Sequence, residues 1–155
     1  MGDAISADGI ETAVLPVEEC LELLERGHFG RLAVVIGEGP PVIRPVNYAF
    51  DRGTRSIAIR TAAGSKLVAL LTSARAVFEI DEVDVDAHTG WSVIVAGVCD
   101  EVTSPAAIER LERLGLEPWA PGERARWITI HAGSVSGLAI VAPRRGPSAD
   151  TAASG

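Results

Sequence analysis

The chain has 155 residues, 47% of them apolar, so it is long enough to bury one hydrophobic core and too short to suggest two domains. Its formal net charge of −7 gives an overall field that repels nucleic-acid phosphates and anionic membrane surfaces, so neither is an expected partner. A phosphate-bearing ligand would have to be held by a local basic cluster. The two cysteines, Cys20 and Cys99, match no paired metal spacing and no disulfide framework, which favours reduced thiols.

The two ends of the chain are small, polar and aperiodic. Residues 1–11 and 143–155 are too poor in apolar side chains to offset the entropy of ordering them, so we predict disordered tails around a folded unit at 12–142. Residues 1–11 also lack the basic and apolar regions of a signal peptide, and no stretch approaches the roughly 20 apolar residues that span a bilayer. We therefore expect a soluble, cytoplasmic protein.

The first half of the folded unit is predicted to contain one helix and three strands. Residues 16–26 place apolar side chains at helical spacing between a first-turn proline and a terminal glycine, which predicts a short amphipathic helix. Two β-rich runs, 31–36 and 42–50, flank a glycine- and proline-rich turn and predict a hairpin. Residues 56–61 alternate apolar with small or polar side chains, as a half-buried strand does.

The second half is predicted to contain two helices, at 65–71 and 104–115, and strands at 76–81, 91–103, 127–131 and 135–141. Between two of these strands, the acidic run 82–90 is predicted to be a loop. The six or seven strands are linked mostly by hairpins and lack the strand–helix alternation of a doubly wound sheet. The predicted fold class is therefore mainly β, an antiparallel barrel with short accessory helices.

The stretch from Arg60 to Lys66 has the composition of an anion site. Arg60 and Thr61 end a strand, and Ser65 and Lys66 begin a helix after Gly64. A helix N-terminus presents unpaired N–H groups to an anion, and these side chains add further donors. The alternative is that the two cations are solvated and Ser65 only caps the helix, which such a short pattern more often means. The glycine spacing is not that of a Walker loop.

Two further stretches suit a flat heteroaromatic ligand. Pro45 lies before Val46 and Asn47 within a strand, where the missing N–H interrupts the ladder and leaves backbone groups for a ligand. Trp91 and Ser92 open a long strand, and an indole ring favours stacking with such a ligand. A β-bulge at a barrel corner and a core tryptophan are the structural alternatives to these two interpretations.

Catalytic and metal-binding patterns are weak. The three histidines, at 28, 88 and 131, belong to no metalloprotease or triad-like context, so no catalytic residue is assigned. The acidic run 79–86 lacks the glycine and terminal glutamate of a calcium loop and is interpreted as a solvated face, with Glu79 expected to point inward beside Phe78. No metal site is predicted, and any enzyme activity would depend on a cofactor.

Taken together, seven blocks of this sequence resemble, in order and spacing, the pyridoxamine 5′-phosphate oxidase-like FMN-binding split barrels. The resemblance is greatest to short actinobacterial members related to nitroimidazole-resistance proteins. The blocks are 30–35, 45–50, 59–61, 64–67, 78–81, 90–93 and 118–122. They extend over almost the whole folded unit, and the resemblance implies a six-stranded antiparallel split β-barrel of the FMN-binding type.

The resemblance also implies a homodimer with two flavin sites at the subunit interface. The FMN-binding residues that it implies are Val46, Asn47, Arg60, Thr61, Ser65, Lys66, Trp91 and Ser92. In this assignment the residues at 60, 61, 65 and 66 hold the phosphate and ribityl chain, and those at 46 and 47 border the ring. Trp91 and Ser92 approach the ring, in many members from the second subunit, and Trp119 and Trp127 help to close the site.

The activity implied by the resemblance is that of an FMN-dependent oxidoreductase, a flavin reductase or nitroreductase-like enzyme that takes hydride from a nicotinamide donor and reduces a small organic acceptor. The chain lacks the extra basic residues and arginine-rich C-terminal segment of the true oxidase, which argues against pyridoxine phosphate as substrate. The alternatives are a flavin carrier or sensor without turnover, an interaction module, and a split barrel that binds F420 or haem. F420 has a longer acidic tail, so the compact pair Arg60 and Lys66 favours FMN.

Overall fold

The computed structural model describes residues 11–35, 38–62, 68, 71–72, 74–119 and 126–141. The strands are β1 (Glu11–Val14), β2 (Phe29–Val35), β3 (Pro41–Asn47), β4 (Ala49–Asp51), β5 (Ser56–Thr61), β6 (Arg75–Asp84), β7 (Thr89–Val102) and β8 (Arg126–Val141), and the bounded helices are α1 (Val17–Arg26) and α2 (Pro105–Glu112). The predicted tails lie outside the described residues, except that Glu11 belongs to β1. The helix predicted at 65–71 also lies mostly outside them, although Val68 and Leu71 are helical and buried.

All the strands join one antiparallel sheet in the order β3, β2, β6, β7, β8, β5, β4, with β1 also paired to β8. Strand β8 is 16 residues long and pairs with β5 near its start and with β1 near its end, while β7 runs along its other side. Because one strand has different neighbours at its two ends, the sheet curls around the core. The predicted fold class, a mainly β antiparallel barrel with short helices, is confirmed.

Helix α1 covers one side of the curled sheet. Its buried residues are Cys20, Leu21 and Leu24, as the apolar spacing predicts, and they join the main core cluster. The helix ends where the Gly27 N–H donates to the Leu23 carbonyl oxygen at 3.1 Å. A Cβ at Gly27 would overlap the Tyr48 hydroxyl, so the glycine permits close approach of the helix end to the sheet.

Tyr48 divides a run that the sequence predicts as a single strand over 42–50. Its side chain is fully buried, its hydroxyl donates to the Leu24 carbonyl oxygen at 2.9 Å, and its N–H donates to the His28 carbonyl oxygen at 3.1 Å. These bonds turn the chain toward α1, so β3 ends at Asn47 and β4 begins at Ala49. This break and the additional β1 add two strands, and the two predicted closing strands are one, so the described residues contain eight strands where six or seven are predicted.

Two other segments also differ from their prediction. The acidic run 82–90, predicted as a loop, is mostly the end of a hairpin in which β6 continues to Asp84 and β7 begins at Thr89. The two closing strands predicted at 127–131 and 135–141 are one continuous strand, β8. In both cases cross-strand pairing overrides weak local β propensity, because backbone groups of a neighbouring strand are already in place.

Glu79 does not point inward beside Phe78 as expected. Side chains alternate along β6, so the burial of Phe78 places Glu79 on the outer face of the sheet. There Glu79 is directly opposite Arg31, and the Arg31 guanidinium donates to Glu79 at 3.0 Å and to Asp81 at 2.6 Å. The two acids are the ion-pair partners of Arg31.

In the part of the chain that the structure describes, no helix is both long and apolar enough to cross a membrane.

Candidate functional site

Arg60 is the centre of the candidate site. It lies near the end of β5, directly opposite Trp127 of β8, and its guanidinium carbon is 5.1 Å from the centroid of the Trp127 indole. Trp127 is 1% exposed and forms the floor under the cation. The family resemblance implies that Trp127 helps to close the ligand site, and in the structure its buried ring lies beneath Arg60.

The Arg60 Nε is buried and has no hydrogen-bond partner among the described residues. A buried N–H donor without a partner is costly, and on a cation the cost is larger than on a neutral group. An anionic ligand oxygen at this position would remove that cost. The atom is therefore the strongest structural indication of a ligand among the residues that the structure describes.

A cavity of about 100 Å³ adjoins Arg60, and we call it the Arg60 cavity. Its described lining consists of Pro45, Val46, Asn47, Ile59, Arg60, Leu116 and Pro118. Three predicted site residues, at 46, 47 and 60, thus meet at one place, where the edge strand β3 approaches β5. Because β3 is the last strand on its side of the sheet, its outward backbone groups are available to a ligand.

Arg126, the cation nearest to the site in register, is already paired. It lies opposite Thr61, and its guanidinium donates two hydrogen bonds to the Glu101 carboxylate at 2.6 and 2.7 Å. The hydrogen bonds with Glu101 raise the pKa of Arg126. Arg126 therefore stays protonated, and its positive charge is neutralised by the Glu101 carboxylate. Within the described lining of the Arg60 cavity, Arg60 is the one cationic side chain.

The predicted phosphate ligands are only partly placed. Thr61 is half-buried at the end of β5, next to Arg60 in sequence. Ser65 and Lys66 lie outside the described residues, so their predicted roles stay predictions. The structure therefore describes the part of the predicted phosphate site that lies on β5, namely Arg60 and Thr61.

Trp91 and Ser92 are not brought to the Arg60 cavity within one chain. They line a separate cavity of about 610 Å³ at the β6–β7 hairpin, together with Glu79, Asp81 and Leu138 among others. Strand β8 lies between β7 and β5 in the sheet, which separates the two cavities. A ligand contacting both places would need two copies of the chain.

Leu116 and Pro118 also line the Arg60 cavity, and neither is predicted to do so from its sequence. Both follow α2, and the Trp119 N–H donates to the Asn47 Oδ1 at 3.0 Å. The Pro118–Trp119 dipeptide was visible as part of a block of the family resemblance, whereas Leu116 gave no local signal. Among the described residues no group of three or more histidine, cysteine or acidic side chains is placed to hold a metal ion.

Comparison with known proteins agrees with this architecture. The profile of the family described as pyridoxamine 5′-phosphate oxidase matches residues 16–140. An uncharacterised protein of Mycobacterium tuberculosis, Rv0080, is 33% identical over 147 residues, covering 88% of this chain and 91% of that relative.

Two solved structures share the fold at 30% identity. An FAD-binding protein from Mycobacterium smegmatis has a TM-score of 0.72, with 83% of this chain and 98% of that one covered. A conserved protein of unknown function from Corynebacterium diphtheriae has a TM-score of 0.71, with coverages of 86% and 100%. The resemblance found in the sequence is confirmed: this chain has the split-barrel fold and belongs to the pyridoxamine 5′-phosphate oxidase family.

Proposed function

We propose that this chain binds a flavin, in the first place FMN, with the flavin phosphate against Arg60. The observation that carries the proposal is the buried Arg60 Nε, which has no partner among the described residues. Arg126 is neutralised by Glu101, so the charge of Arg60 is available to an anion. The Mycobacterium smegmatis protein with the same fold is described as FAD-binding, which supports a flavin as the ligand class.

The residues at the site fit a flavin in chemistry. Arg60 supplies a charge-assisted donor for the phosphate, and Thr61 supplies a hydroxyl beside it. Val46 gives an apolar wall, and the edge strand β3 gives free backbone groups for the polar edge of the ring. Ser65 and Lys66 would complete the phosphate site in the way that the sequence predicts.

The Arg60 cavity is too small to take a flavin by itself. Its volume of about 100 Å³ is below the roughly 300–1,000 Å³ of typical small-molecule pockets. We propose that a second copy of the chain supplies the rest of the site, with Trp91 and Ser92 of that copy facing the ring. The homodimer would be formed through the outer sheet face, which is the side of the sheet opposite the core.

Apolar side chains on the outer sheet face support this dimer. The exposed apolar residues there include Val35, Ile43, Val77, Ile94, Val98 and Leu138. Exposed contiguous apolar surface of this kind is typical of interfaces between proteins. Ser92 faces the same side, since it is paired with Asp81 and Leu138 and lines a cavity with them, whereas the Trp91 side chain packs against the main core cluster.

The reaction that we propose is oxidoreduction of a small organic acceptor. When bound, flavin supplies two-electron redox chemistry between a nicotinamide donor and an acceptor such as a nitroaromatic or a quinone. The chain itself binds and orients: Arg60 balances the phosphate charge, and β3 and the segment after α2 shield the ring from water. No described side chain is assigned as an acid or base.

A flavin carrier or sensor is the second candidate, and one observation favours it. Apart from Arg60, no titratable side chain belongs to the described lining of the Arg60 cavity. Such a site can retain a flavin without offering proton transfer to a substrate.

The test is titration of the purified protein with FMN and with FAD, followed by visible absorption and flavin fluorescence. We expect saturable FMN binding with a structured flavin spectrum, and a protein that binds neither flavin would contradict the proposal. Anaerobic addition of NADH or NADPH then separates the two candidates. Bleaching of the bound flavin supports the oxidoreductase, and an unbleached flavin supports the carrier.

A further inference from the structure

The segment Leu116–Trp119, which follows α2, is a thin wall between two cavities. On one side Leu116 and Pro118 line the Arg60 cavity. On the other side Leu116, Glu117 and Trp119 line a cavity of about 260 Å³ that also includes Asn47. Displacement of the segment would therefore join the two spaces beside Arg60.

The near end of this segment is anchored in the fold. Leu116 packs against the second core cluster, which contains Ala58, Leu111 and Trp127. Before it, Gly115 adopts a positive φ of 70°, a conformation that glycine tolerates, and so reverses the chain after α2. Movement of the segment would thus concentrate at its far end, near Trp119.

The far end is attached to β3 through one side chain. The Trp119 N–H donates to the Asn47 Oδ1 at 3.0 Å, and the Asn47 Nδ2 donates to the His28 carbonyl oxygen at 3.5 Å. Each half of the Asn47 amide therefore already bonds to one group of the chain itself, and one N–H and one oxygen lone pair remain. The family resemblance implies that Asn47 borders the ring, and in the structure the residue lines the Arg60 cavity.

An aromatic stack adds a second attachment. The Trp119 indole lies parallel to the Phe29 ring, with an interplanar angle of 8° and 5.5 Å between centroids. Trp119 is nevertheless 70% exposed, so little else packs on it. One hydrogen bond and one exposed stack are attachments that thermal motion can open and close.

From these contacts we propose that Asn47 is a positioning residue, the latch of a gate formed by Leu116–Trp119. With the Asn47–Trp119 bond formed, the segment closes over the Arg60 cavity, and with the bond broken, the cavity opens for the flavin to enter or leave. This inference rests on the proposed flavin-binding function. It assigns to the side chain of Asn47 the control of entry and release, and not a hydrogen bond to the ring.

The first test needs no flavin. Amide hydrogen exchange at Trp119, followed by NMR in the full-length protein, should be faster in Asn47→Ala by roughly tenfold, which corresponds to the loss of one hydrogen bond. Asn47→Asp keeps an accepting oxygen and should retain the protection. The internal control is the Leu114 N–H, which donates to the Leu111 carbonyl oxygen and should exchange equally in all three proteins. Equal Trp119 exchange in the wild type and Asn47→Ala would overturn the latch.

The second test measures FMN kinetics. In Asn47→Ala, FMN association and release should both accelerate by roughly tenfold, whereas the absorption spectrum of the bound flavin and its Kd change little. Asn47→Asp keeps the bond to Trp119 and should not accelerate association, because its added carboxylate also repels the flavin phosphate. A shifted flavin spectrum with unchanged association would show direct ring contact and overturn the gate. If the wild type binds no flavin, the proposed function fails and the gate with it, even where the exchange test succeeds.

Discussion

At the scale of single residues, Asp51 shows how a buried charge is made tolerable. Its carboxylate is almost fully buried and accepts hydrogen bonds from the Thr54 hydroxyl at 2.8 Å and from the Arg110 Nε at 2.9 Å. Burial by itself raises the pKa of this carboxyl, but the bonds from Thr54 and Arg110 outweigh it, so the pKa lies below its ordinary value. The ion pair connects α2 to the β4–β5 turn.

The sign of the resulting pH dependence follows from this lowered pKa. A carboxyl whose pKa is depressed in the folded state stabilises the protein above its unfolded pKa, and this contribution is lost as the pH falls through the folded pKa. We predict that Asp51→Asn lowers the free energy of unfolding by about 1–3 kcal/mol at pH 7. The difference from the wild type should begin to shrink below about pH 4, where the carboxyl of the unfolded chain becomes protonated, and be lost at still lower pH as the folded carboxyl is protonated.

Denaturant unfolding at pH 7 and at pH 3.5 measures both effects. The matched control is Asp86→Asn, an exposed carboxyl in the β6–β7 turn, for which we expect a change of less than about 0.5 kcal/mol. A pH-independent loss in Asp51→Asn would contradict the role of its charge.

Much of the candidate site is visible in the local sequence, but its assembly is not. Arg60 and Thr61 follow from a strand that ends in hydrogen-bond donors, and Val46 follows from a proline within a strand. The bond between Asn47 and Trp119 joins residues 72 positions apart, and the pairing of Arg126 with Glu101 depends on strand register. Neither contact has a local signature, so the pairing of Arg126 and the position of Arg60 beside the cavity are known only from the fold.

At the scale of elements, the β7–β8 pairing contains a bulge next to Gly97. Ala96 pairs with Ser134 and Gly97 pairs with Ala132, so Gly133 of β8 is the extra residue, and a Cβ at Gly97 would overlap the carbonyl oxygen of His131. Because that oxygen belongs to the backbone, a rotamer change cannot relieve the overlap. Gly97 is thus required by the close approach of two strands.

We predict that Gly97→Ala lowers the free energy of unfolding by about 3 kcal/mol or more. Thermal or denaturant unfolding followed by circular dichroism gives the value. Gly133→Ala, at the bulged residue itself, is the control, since its Cβ would lie 3.3 Å from the Ala96 carbonyl oxygen and meet no closer atom. We expect this control to cost less than about 1 kcal/mol, and equal losses in the two variants would refute the explanation.

The helices at 16–26 and 104–115 were predictable because capping residues and apolar spacing mark both ends. The observed α1 and α2 lie within those ranges. Strand boundaries were less predictable, because they depend on partners. The continuation of β6 into the acidic run and the break at Tyr48 are both decided by contacts with distant residues, namely β7 and Leu24.

At the scale of the whole molecule, the outer sheet face carries exposed apolar side chains that a single chain does not bury. Ile94 lies near its middle, opposite Glu79 of β6 and Ser136 of β8, and is 42% exposed. In the proposed homodimer this side chain is covered by the second copy. We predict a mass in solution of twice the 16.2 kDa chain, and a shift to monomers in Ile94→Glu, because a buried unpaired carboxylate opposes association.

Analytical ultracentrifugation over a range of concentrations measures this equilibrium. Val17→Glu is the matched control, since Val17 is 49% exposed but lies on α1, away from the outer sheet face. It should leave the dimer unchanged. A wild-type protein that remains monomeric at all concentrations, or a dimer that tolerates Ile94→Glu, contradicts the proposed interface.

Whether Arg60 holds the phosphate of a flavin can be measured by comparing the Kd values of FMN and of riboflavin, which lacks the phosphate. The wild type should bind FMN about 10–100-fold more tightly than riboflavin, as expected for a charge-assisted contact. Arg60→Gln should remove most of this preference by weakening FMN alone, whereas Arg113→Gln, an exposed position beyond α2, should keep it. Equal FMN affinity in the wild type and Arg60→Gln would contradict the claim.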